Sequence, residues 1–350
     1  MKAGMAIDVH LSFSSSEVIR AVNPVALLVT RRHNPVLDNG VLHGEGGAVA
    51  SDKRSVFVYL ALGFAMLVWG LSFLAIKDVV LHVPVFSLLF LRFSVATLLL
   101  GVIGTGMRAL AVTKRDLAVL AGLALLSPIG YFIFETFGVA NTQPSHVSVI
   151  IAAIPTVVLI IALGKRQERA TWRKGLGIAV TYAGIFLLVV SGLHDPGARV
   201  LGDVLVFGAV MCAALRTVLI KDVLRRITPL QLTFYQFLFS LFIFGPLAAT
   251  NSWSWVTTIT AMQVLEILFL GVFCSAGAFL ALHYALTHLS ATQVAATASF
   301  IPVITLFAEV LIMGTRLSLL KGMGTTVAIA GVLLVQTSNV RGRGIILEEG

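Results

Sequence analysis

Long apolar stretches follow one another along most of this chain, separated by short segments that hold the polar and charged residues. Each stretch has about 20 residues, the length that an α-helix needs to cross the roughly 30 Å hydrocarbon core of a bilayer. The pattern predicts an all-α integral membrane protein with ten transmembrane helices, at approximately 56–76, 84–103, 117–139, 145–164, 175–192, 201–220, 230–249, 263–286, 290–312 and 319–337.

One segment of the chain occurs twice. Adding 147 to each residue number of Val147–Leu187 gives Val294–Leu334 without a gap, and the matched residues include a proline, a lysine and several glycines. Repeats of this kind indicate that the fold is built from copies of one unit. The ten helices therefore divide into two halves of five, 56–192 and 201–337, with a short C-terminal tail at 338–350.

The basic residues orient the helices. With the N-terminus inside, the predicted cytoplasmic segments hold fifteen Lys and Arg residues and the outside loops hold four: Lys77, Arg199, Arg316 and Lys321. This bias predicts a multi-pass protein of the cytoplasmic (inner) membrane with both termini cytoplasmic. Because five helices per half is an odd number, the second half is expected to be inverted relative to the first, as in many secondary transporters.

Residues 1–55 are polar and irregular, and we expect them to form a disordered cytoplasmic tail. An alternative is that translation begins near Val49 and that residues 1–48 are not made.

The composition excludes several other classes. Hydrophobic residues are 58% of the chain and charged residues 12%, about half the charge of a soluble domain. The net charge of +9 is spread over short loops between apolar runs, which does not suggest a nucleic-acid partner. The sequence holds no P-loop and none of the common hydrolase motifs. We therefore expect no enzyme activity, no cofactor and no metal.

The first two helices and the loop after the fourth carry a family resemblance. The stretch Trp69–Lys77, followed by Pro84, Leu91-Arg92-Phe93 and Ala96, resembles the opening of EamA-type transporters of the drug/metabolite transporter superfamily. Pro155, Glu168-Arg169-Ala170-Thr171, Gly175 and Gly184 continue the resemblance, which covers about 55–337. It implies ten helices in two inverted halves around a central substrate cavity, and export of amino acids, metabolites or drugs without ATP.

This chain departs from the family pattern at two places. Thr315 stands where the second copy usually has Glu. Ala213-Ala214 stands where Trp69-Gly70 would recur, if Lys77-Asp78-Val79 is aligned with Lys221-Asp222-Val223. Equivalent substrate roles for the two halves are therefore not expected.

Ionisable residues within apolar runs are candidates for function, because a charge facing lipid is costly. Arg92 is predicted to hold a substrate carboxylate, or else to have a structural role at helix ends. Either Glu135 or Glu309 could take a proton and couple transport to the gradient, because burial disfavours the charged form of a carboxyl group. Glu135 is assigned to the substrate site and Glu309 to proton coupling; the alternative for both is a carboxylate paired with Lys or Arg in an outer vestibule. Arg216 is expected to anchor its helix on the cytoplasmic side. His283 is expected either to sense pH near neutrality or to be an interfacial side chain with water access.

Aromatic residues are candidates for the cavity wall: Trp69, Tyr131, Tyr235 and Tyr284. The alternative is helix packing. Pro155 and Pro302 occupy equivalent positions and are expected to interrupt their helices, either as hinges for alternating access or as static bends. The pairs Gly175/Gly177 and Gly322/Gly324 are expected to allow close helix packing.

The sequence thus predicts a secondary transporter that exports a small amphipathic metabolite, such as an amino acid or a drug-like compound, by alternating access. Its partners would be that small molecule, the lipid bilayer and protons if transport is coupled, but not nucleic acid. A flippase for lipid carriers with the same fold is the first alternative, and a non-transporting membrane sensor is the second.

Overall fold

The computed structural model describes residues 45–107, 109–165, 171–192, 200–289, 294, 297–315 and 318–344. The predicted tail at 1–55 therefore lies outside the described residues as far as residue 44, as do 345–350 at the other end.

The described chain is helical, which confirms the predicted all-α class. Ten helices follow one another: α1 Glu45–Val79, α2 Val85–Gly106, α3 Lys114–Asn141, α4 Pro144–Gly164, α5 Trp172–Gly192, α6 Val200–Val223, α7 Pro229–Ala249, α8 Ala261–Leu286, α9 Phe300–Met313 and α10 Leu319–Gly344. Within the described residues nine are long and apolar enough to cross a membrane, and α9 is shorter. Most of residues 290–296, which the sequence assigns to the ninth helix, lie outside the described residues.

Two helix ends differ from the sequence prediction. Helix α1 begins at Glu45 rather than near residue 56, and α10 continues to Gly344 rather than ending near residue 337. Residues 45–55, which the sequence assigns to the polar tail, belong to this helix, and the expected disorder of the tail stays a prediction. Extending an existing helix requires no new nucleation, so polar residues beside an apolar span can remain helical.

Few residues separate most successive helices in the sequence, which favours an antiparallel arrangement of neighbouring helices. We call the end of the bundle at which α1 enters the proximal end, and the end at which α1 finishes at Val79 the distal end. The sequence predicts that the proximal end is cytoplasmic.

The third helix of each half is interrupted at the same place. Helix α3 contains a π-helical segment, Leu125–Gly130, in which Ser127 has the non-helical angles φ −154° and ψ 126°. Helix α8 contains the π-helical segment Leu270–Gly277. Adding 147 to Ser127 gives Cys274, so the two interruptions coincide in the repeat. Such segments free backbone groups from the helical ladder and are frequent at functional sites.

The interruptions expected at the two prolines are also present. Helix α4 consists of Pro144–Ile151 and Ile154–Gly164, with a turn immediately before Pro155. A turn at Ser299 directly precedes α9, and Pro302 lies in the first turn of that helix. A proline ring clashes with the carbonyl four residues earlier and offers no N–H, which explains both breaks. Whether they act as hinges stays a prediction.

Helices α5 and α10 pack closely through glycines that the repeat relates to each other. A methyl group placed on Gly184 would overlap the backbone of Ala328, and one placed on Gly331 would overlap the backbone of Thr181. Adding 147 to Gly184 and to Thr181 gives Gly331 and Ala328, so the two contacts are equivalent under a pseudo-two-fold axis. The predicted close packing is also found at Gly177 and Gly324.

The other members of the two predicted pairs, Gly175 and Gly322, do not contribute to this packing, because nothing lies within 4 Å of a methyl group built there. Each lies two residues before a glycine that faces the partner helix, about 200° around the helix axis, and therefore faces away from that helix.

We predict that Gly184→Val and Gly331→Val lower the stability of the folded protein. Overpacking a close contact costs about 1–3 kcal/mol or more, and here the obstacle is backbone that cannot rotate away. Equilibrium unfolding in lipid bicelles measures the effect. Gly175→Val and Gly322→Val are matched controls, because they add the same side chain to the same helices in open space. Equal destabilisation by all four substitutions would show that the close contact is unimportant.

Candidate functional site

Arg92 is buried in the middle of the bundle, with 1% of its surface exposed. Its Nε donates a hydrogen bond of 2.7 Å to Oγ of Ser275, in the π-helical segment of α8. The guanidinium lies over the ring of Phe132, 4.4 Å from its centroid, and 5.7 Å from the centroid of Phe93. Cation–π contacts of this kind are strongest where water is excluded.

Among the described residues, no carboxylate is ion-paired with Arg92. Glu135 lies close enough to interact electrostatically with it and with Tyr131. Glu135 is itself 3% exposed, and its carboxylate accepts a hydrogen bond of 3.2 Å from the Thr136 hydroxyl. Arg92, Glu135, Tyr131 and Ser275 therefore form one polar group in an apolar interior, which we call the Arg92 cluster.

Four phenylalanines next to the Arg92 cluster form an aromatic core with two-fold pseudosymmetry. Phe132 and Phe279 correspond through the offset of 147, and their centroids are 5.9 Å apart. Phe93 and Phe237 correspond through the offset of 144 (221 − 77) that relates the first helices of the two halves, and they stack at 5.0 Å. The edge-to-face pair Phe93–Phe132, at 5.0 Å, recurs as Phe237–Phe279, at 5.5 Å.

Trp69 joins this core from α1. Its ring meets Phe279 edge to face at 5.3 Å, and its Nε1 donates a hydrogen bond of 2.9 Å to the carbonyl of Cys274. That carbonyl lies in the π-helical segment of α8, so the indole binds a backbone group that the interrupted helix leaves available. Gly70 beside it allows α9 to approach, since a methyl group there would meet Ile304 at 2.5 Å.

Glu309 lies at the distal end in a network of its own. Its carboxylate forms a buried ion pair with Nζ of Lys321 at 2.8 Å, and the two side chains are 1% and 3% exposed. Its other oxygen accepts a hydrogen bond of 2.8 Å from the backbone N–H of Ser145, at the N-terminus of α4. A carboxylate is stabilised there by the helix dipole. This arrangement matches the structural alternative for Glu309, and its predicted role in proton coupling stays untested.

The same end of the bundle is tied together by two further contacts. Asp203 of α6 accepts a hydrogen bond of 2.8 Å from Thr142 and lies 3.2 Å from Nδ1 of His146. Nζ of Lys77, at the end of α1, donates to the carbonyls of Val139, Ala140 and Thr142 at 2.8–3.2 Å, which caps the end of α3. Helices from both halves therefore meet at the start of α4. We call the residues that make these contacts the distal clamp: Lys77, Thr142, Ser145, His146, Asp203, Glu309 and Lys321.

Two of the predicted wall residues lie elsewhere. The Tyr235 hydroxyl donates to the carbonyl of Leu110 at 2.8 Å, near the proximal end. Tyr284 packs against Phe57 and His288, also near that end. Their positions along α7 and α8 place both rings away from the Arg92 cluster, whereas Trp69, Tyr131, Arg92 and Glu135 are brought together around it.

Several residues of the site escaped the sequence analysis, above all Ser275, Phe132, Phe279 and Gln236. A polar residue in an apolar run, or one phenylalanine among 22, gives little signal by itself. The repeat could have singled out Phe132 and Phe279, because the offset of 147 relates one to the other.

The structure has a surface depression of about 530 Å³ on α10, between Ser318 and Val327. It lies on an exposed helix face, far in sequence from the Arg92 cluster, and we assign it no role. No group of three or more His, Cys, Asp or Glu side chains in the described part of the chain is placed to hold a metal ion.

Comparison with known proteins identifies the class. Residues 56–190 and 200–337 both match the EamA-like transporter family, and this protein belongs to that family. The chain is 28% identical over 286 residues to an uncharacterised transporter of Archaeoglobus fulgidus, covering 79% of this chain and 96% of the relative. It is 25% identical to a probable terminal-alkyne amino-acid exporter of Streptantibioticus cattleyicolor, covering 79% and 92%.

A solved structure has the same fold, with a TM-score of 0.61 at 15% identity, over 82% of this chain and 98% of the other. The two family matches coincide with the two halves that the repeat defines. The protein is thus a multi-pass membrane transporter of the drug/metabolite transporter superfamily.

We predict that Lys321→Met strongly destabilises the protein, because it leaves the Glu309 carboxylate buried without its partner. Breaking a buried ion pair from one side costs about 3–5 kcal/mol. The double substitution Glu309→Leu with Lys321→Met should recover part of that loss, since it removes both charges. Equilibrium unfolding in bicelles measures each variant.

The control is the ion pair between Arg226 and Asp116, at 3.2 Å, whose side chains are 46% and 16% exposed. Arg226→Gln should cost at most about 1 kcal/mol, as is usual for exposed pairs. A loss on Lys321→Met no larger than this would contradict a structural role for the distal ion pair.

Proposed function

We propose that this protein is a secondary transporter that exports a small amphipathic carboxylate, with apolar amino acids as the first class to test. The observation that carries the proposal is the Arg92 guanidinium, which is fully buried in the middle of the bundle and has no ion-paired carboxylate among the described residues. An ionised guanidinium is costly to bury without an ion-paired carboxylate, and a substrate carboxylate would offset that cost.

The hydrogen bonds of Arg92 leave donors available for such a ligand. Among the described contacts only its Nε is occupied, by Ser275, so the two terminal nitrogens keep their donors. Arginine presents parallel N–H groups that match a carboxylate, and charge-assisted bonds of this kind are roughly twice as strong as neutral ones. The serine and the ring of Phe132 hold the guanidinium in place, which reduces the entropy lost on binding.

The surroundings of Arg92 suit a molecule with one charged end and one apolar end. The ring of Phe132 lies directly beside the guanidinium, Phe279 contacts Phe132, and Trp69 contacts Phe279. The similarity to a probable amino-acid exporter points to the same class of substrate. A lipid-carrier flippase has no specific support from the described contacts.

The arrangement of the two halves supports alternating access. Arg92, on the second helix of the first half, bonds to the interrupted helix of the second half. Gln236, which corresponds to Arg92 through the offset of 144, donates a hydrogen bond of 3.1 Å to the carbonyl of Ser127, in the interrupted helix of the first half. Each half thus holds the irregular segment of the other, so moving one half against the other would reshape the site from both sides.

For proton coupling we favour Glu135 over Glu309. The charge of Glu309 is already matched by Lys321 and by the N-terminus of α4. Glu135 has one hydrogen bond and no ion-paired cation among the described residues, and it lies beside the proposed carboxylate site. A substrate carboxylate arriving at Arg92 would repel the ionised Glu135 and favour its protonation.

We predict that cells expressing the intact protein accumulate an apolar amino acid or a related carboxylate in the medium, and that Arg92→Gln abolishes the accumulation. Loss of a charge-assisted bond costs about 1.5–3 kcal/mol, or roughly tenfold to hundredfold in affinity. Comparing spent media by mass spectrometry measures it. Arg226→Gln is the control, since it removes an exposed arginine. Unchanged media with altered lipid-carrier pools would favour the flippase instead.

We predict that Glu135→Gln removes the response of transport to an imposed proton gradient but preserves substrate exchange across proteoliposomes. The amide resembles a protonated carboxyl, so the substrate site remains while the proton site is lost. Glu309→Gln should retain the gradient response in whatever protein folds. The reverse result would return the coupling role to Glu309.

A further inference from the structure

A second buried guanidinium lies on the proximal side of the aromatic core. Arg216 of α6 has 6% of its surface exposed. Its Nη2 donates to Oε1 of Gln236 at 3.1 Å and to Nε2 of His283 at 2.6 Å. Its Nε is buried and has no hydrogen-bond partner. We call Arg216, Gln236 and His283 the Arg216 cluster.

The directions of the hydrogen bonds show that the partners of Arg216 are neutral. The Thr233 hydroxyl donates to the carbonyl of Pro229 at 2.7 Å, so its oxygen accepts from Nδ1 of His283 at 2.8 Å. His283 then carries its proton on Nδ1, and its Nε2 accepts from Arg216, which can only donate. Gln236 accepts from Arg216 through its oxygen and donates through its amide to Ser127.

The charge of Arg216 is therefore not balanced by its neighbours. Among the described residues no carboxylate is ion-paired with it. A guanidinium does not lose its proton in proteins, so burial cannot neutralise it as it can a lysine. A buried cation held only by neutral groups, with one N–H unused, has the donors that an anion needs.

The repeat relates the position of the Arg216 cluster to that of Arg92. Gln236 stands where Arg92 stands in the first half, so the second half lacks a guanidinium on its second helix. Arg216 supplies one from α6 and binds Gln236 directly. Both guanidinium groups therefore lie next to the interrupted third helices, Arg92 against α8 and Arg216 against α3 through Gln236.

A continuous series of ring contacts joins the two clusters. His283 meets Phe279 at 6.1 Å, Phe279 meets Phe132 at 5.9 Å, and the Arg92 guanidinium lies 4.4 Å from Phe132. An amphipathic molecule moving between the two arginines would keep its apolar part against the same aromatic core.

We propose that the Arg216 cluster is a second carboxylate-binding site, on the proximal side of the pathway, which receives the substrate before it reaches Arg92. The inference deepens the proposed function and rests on it for the identity of the natural substrate. The expected role of Arg216 as a helix anchor does not account for the unused Nε. In the conformation described here the site is closed, and it would open when the two halves rock apart at the proximal end.

The test measures binding without transport, so that it can succeed or fail independently of the proposed export. The probe is benzoate, with benzamide as its neutral isostere. The full chain in phosphatidylcholine nanodiscs is titrated with each probe, and the rise in unfolding temperature gives an apparent affinity, since a ligand that binds only the folded state stabilises it. The variants are Arg92→Gln, Arg216→Gln, Arg216→Lys and the combination of Arg92→Gln with Arg216→Gln.

We expect benzoate to bind the Arg92→Gln protein about tenfold or more tightly than benzamide does, as one charge-assisted hydrogen bond allows. Adding Arg216→Gln should abolish that preference. Arg216→Lys keeps the charge but not the parallel donors, so in the Arg92→Gln protein it should give an intermediate preference. It also serves if the glutamine variant does not fold. Arg226→Gln, which removes an exposed arginine near the proximal end, should leave the preference unchanged.

The proposal is overturned if benzoate has no advantage over benzamide in the Arg92→Gln protein, or if that advantage survives Arg216→Gln. A benzoate preference of the Arg92→Gln protein that Arg216→Gln abolishes, together with no export of amino acids by the intact protein, would support the second site while contradicting the proposed substrate.

Discussion

The structure depends on one constraint: backbone N–H and C=O groups inside a bilayer need partners within the protein. Helices α3 and α8 cannot meet this need through their own backbone alone, because their π-helical segments leave carbonyls outside the regular helical hydrogen-bond pattern. The partners come from side chains of the opposite half. Gln236 binds the carbonyl of Ser127, and Trp69 binds the carbonyl of Cys274. Each irregular segment therefore depends on the opposite half for a hydrogen-bond partner, and the polar groups of the site lie where the two halves meet.

The sequence was sufficient for the architecture but not for most of the site. Hydropathy and loop length define helices, and the repeat at an offset of 147 predicts two equivalent halves, which the Gly184 and Gly331 contacts display. Arg92 could be singled out because a charge in an apolar run is conspicuous. The sequence could not show that Trp69 lies at the site and Tyr284 does not. That depends on which face of a helix points toward the centre of the bundle, and aromatic residues occur on every face of these helices.

The two halves share a backbone plan but have different polar residues. The Phe93–Phe132 and Phe237–Phe279 pairs preserve the symmetry at the centre. Away from the centre, Glu309 corresponds to Ala162, so the buried carboxylate of the distal clamp has no counterpart at that position of the first half. Arg92 likewise corresponds to Gln236. An inverted repeat with identical polar residues would treat its two sides alike, whereas these substitutions give each side its own chemistry.

This asymmetry bears on how the transporter would open. The distal clamp joins α1 to the end of α3, α6 to α4, α9 to α4 and α10 to α9, through ion pairs and charge-assisted hydrogen bonds that are largely buried. Opening the distal end would expose Glu309 and Lys321 to water together. Hydration would then replace part of the lost Coulomb attraction, because the cost of breaking such a pair is greatest when one charge stays buried alone. A clamp made of paired charges can therefore hold the distal end closed and still release it, provided that both partners reach water in the same movement.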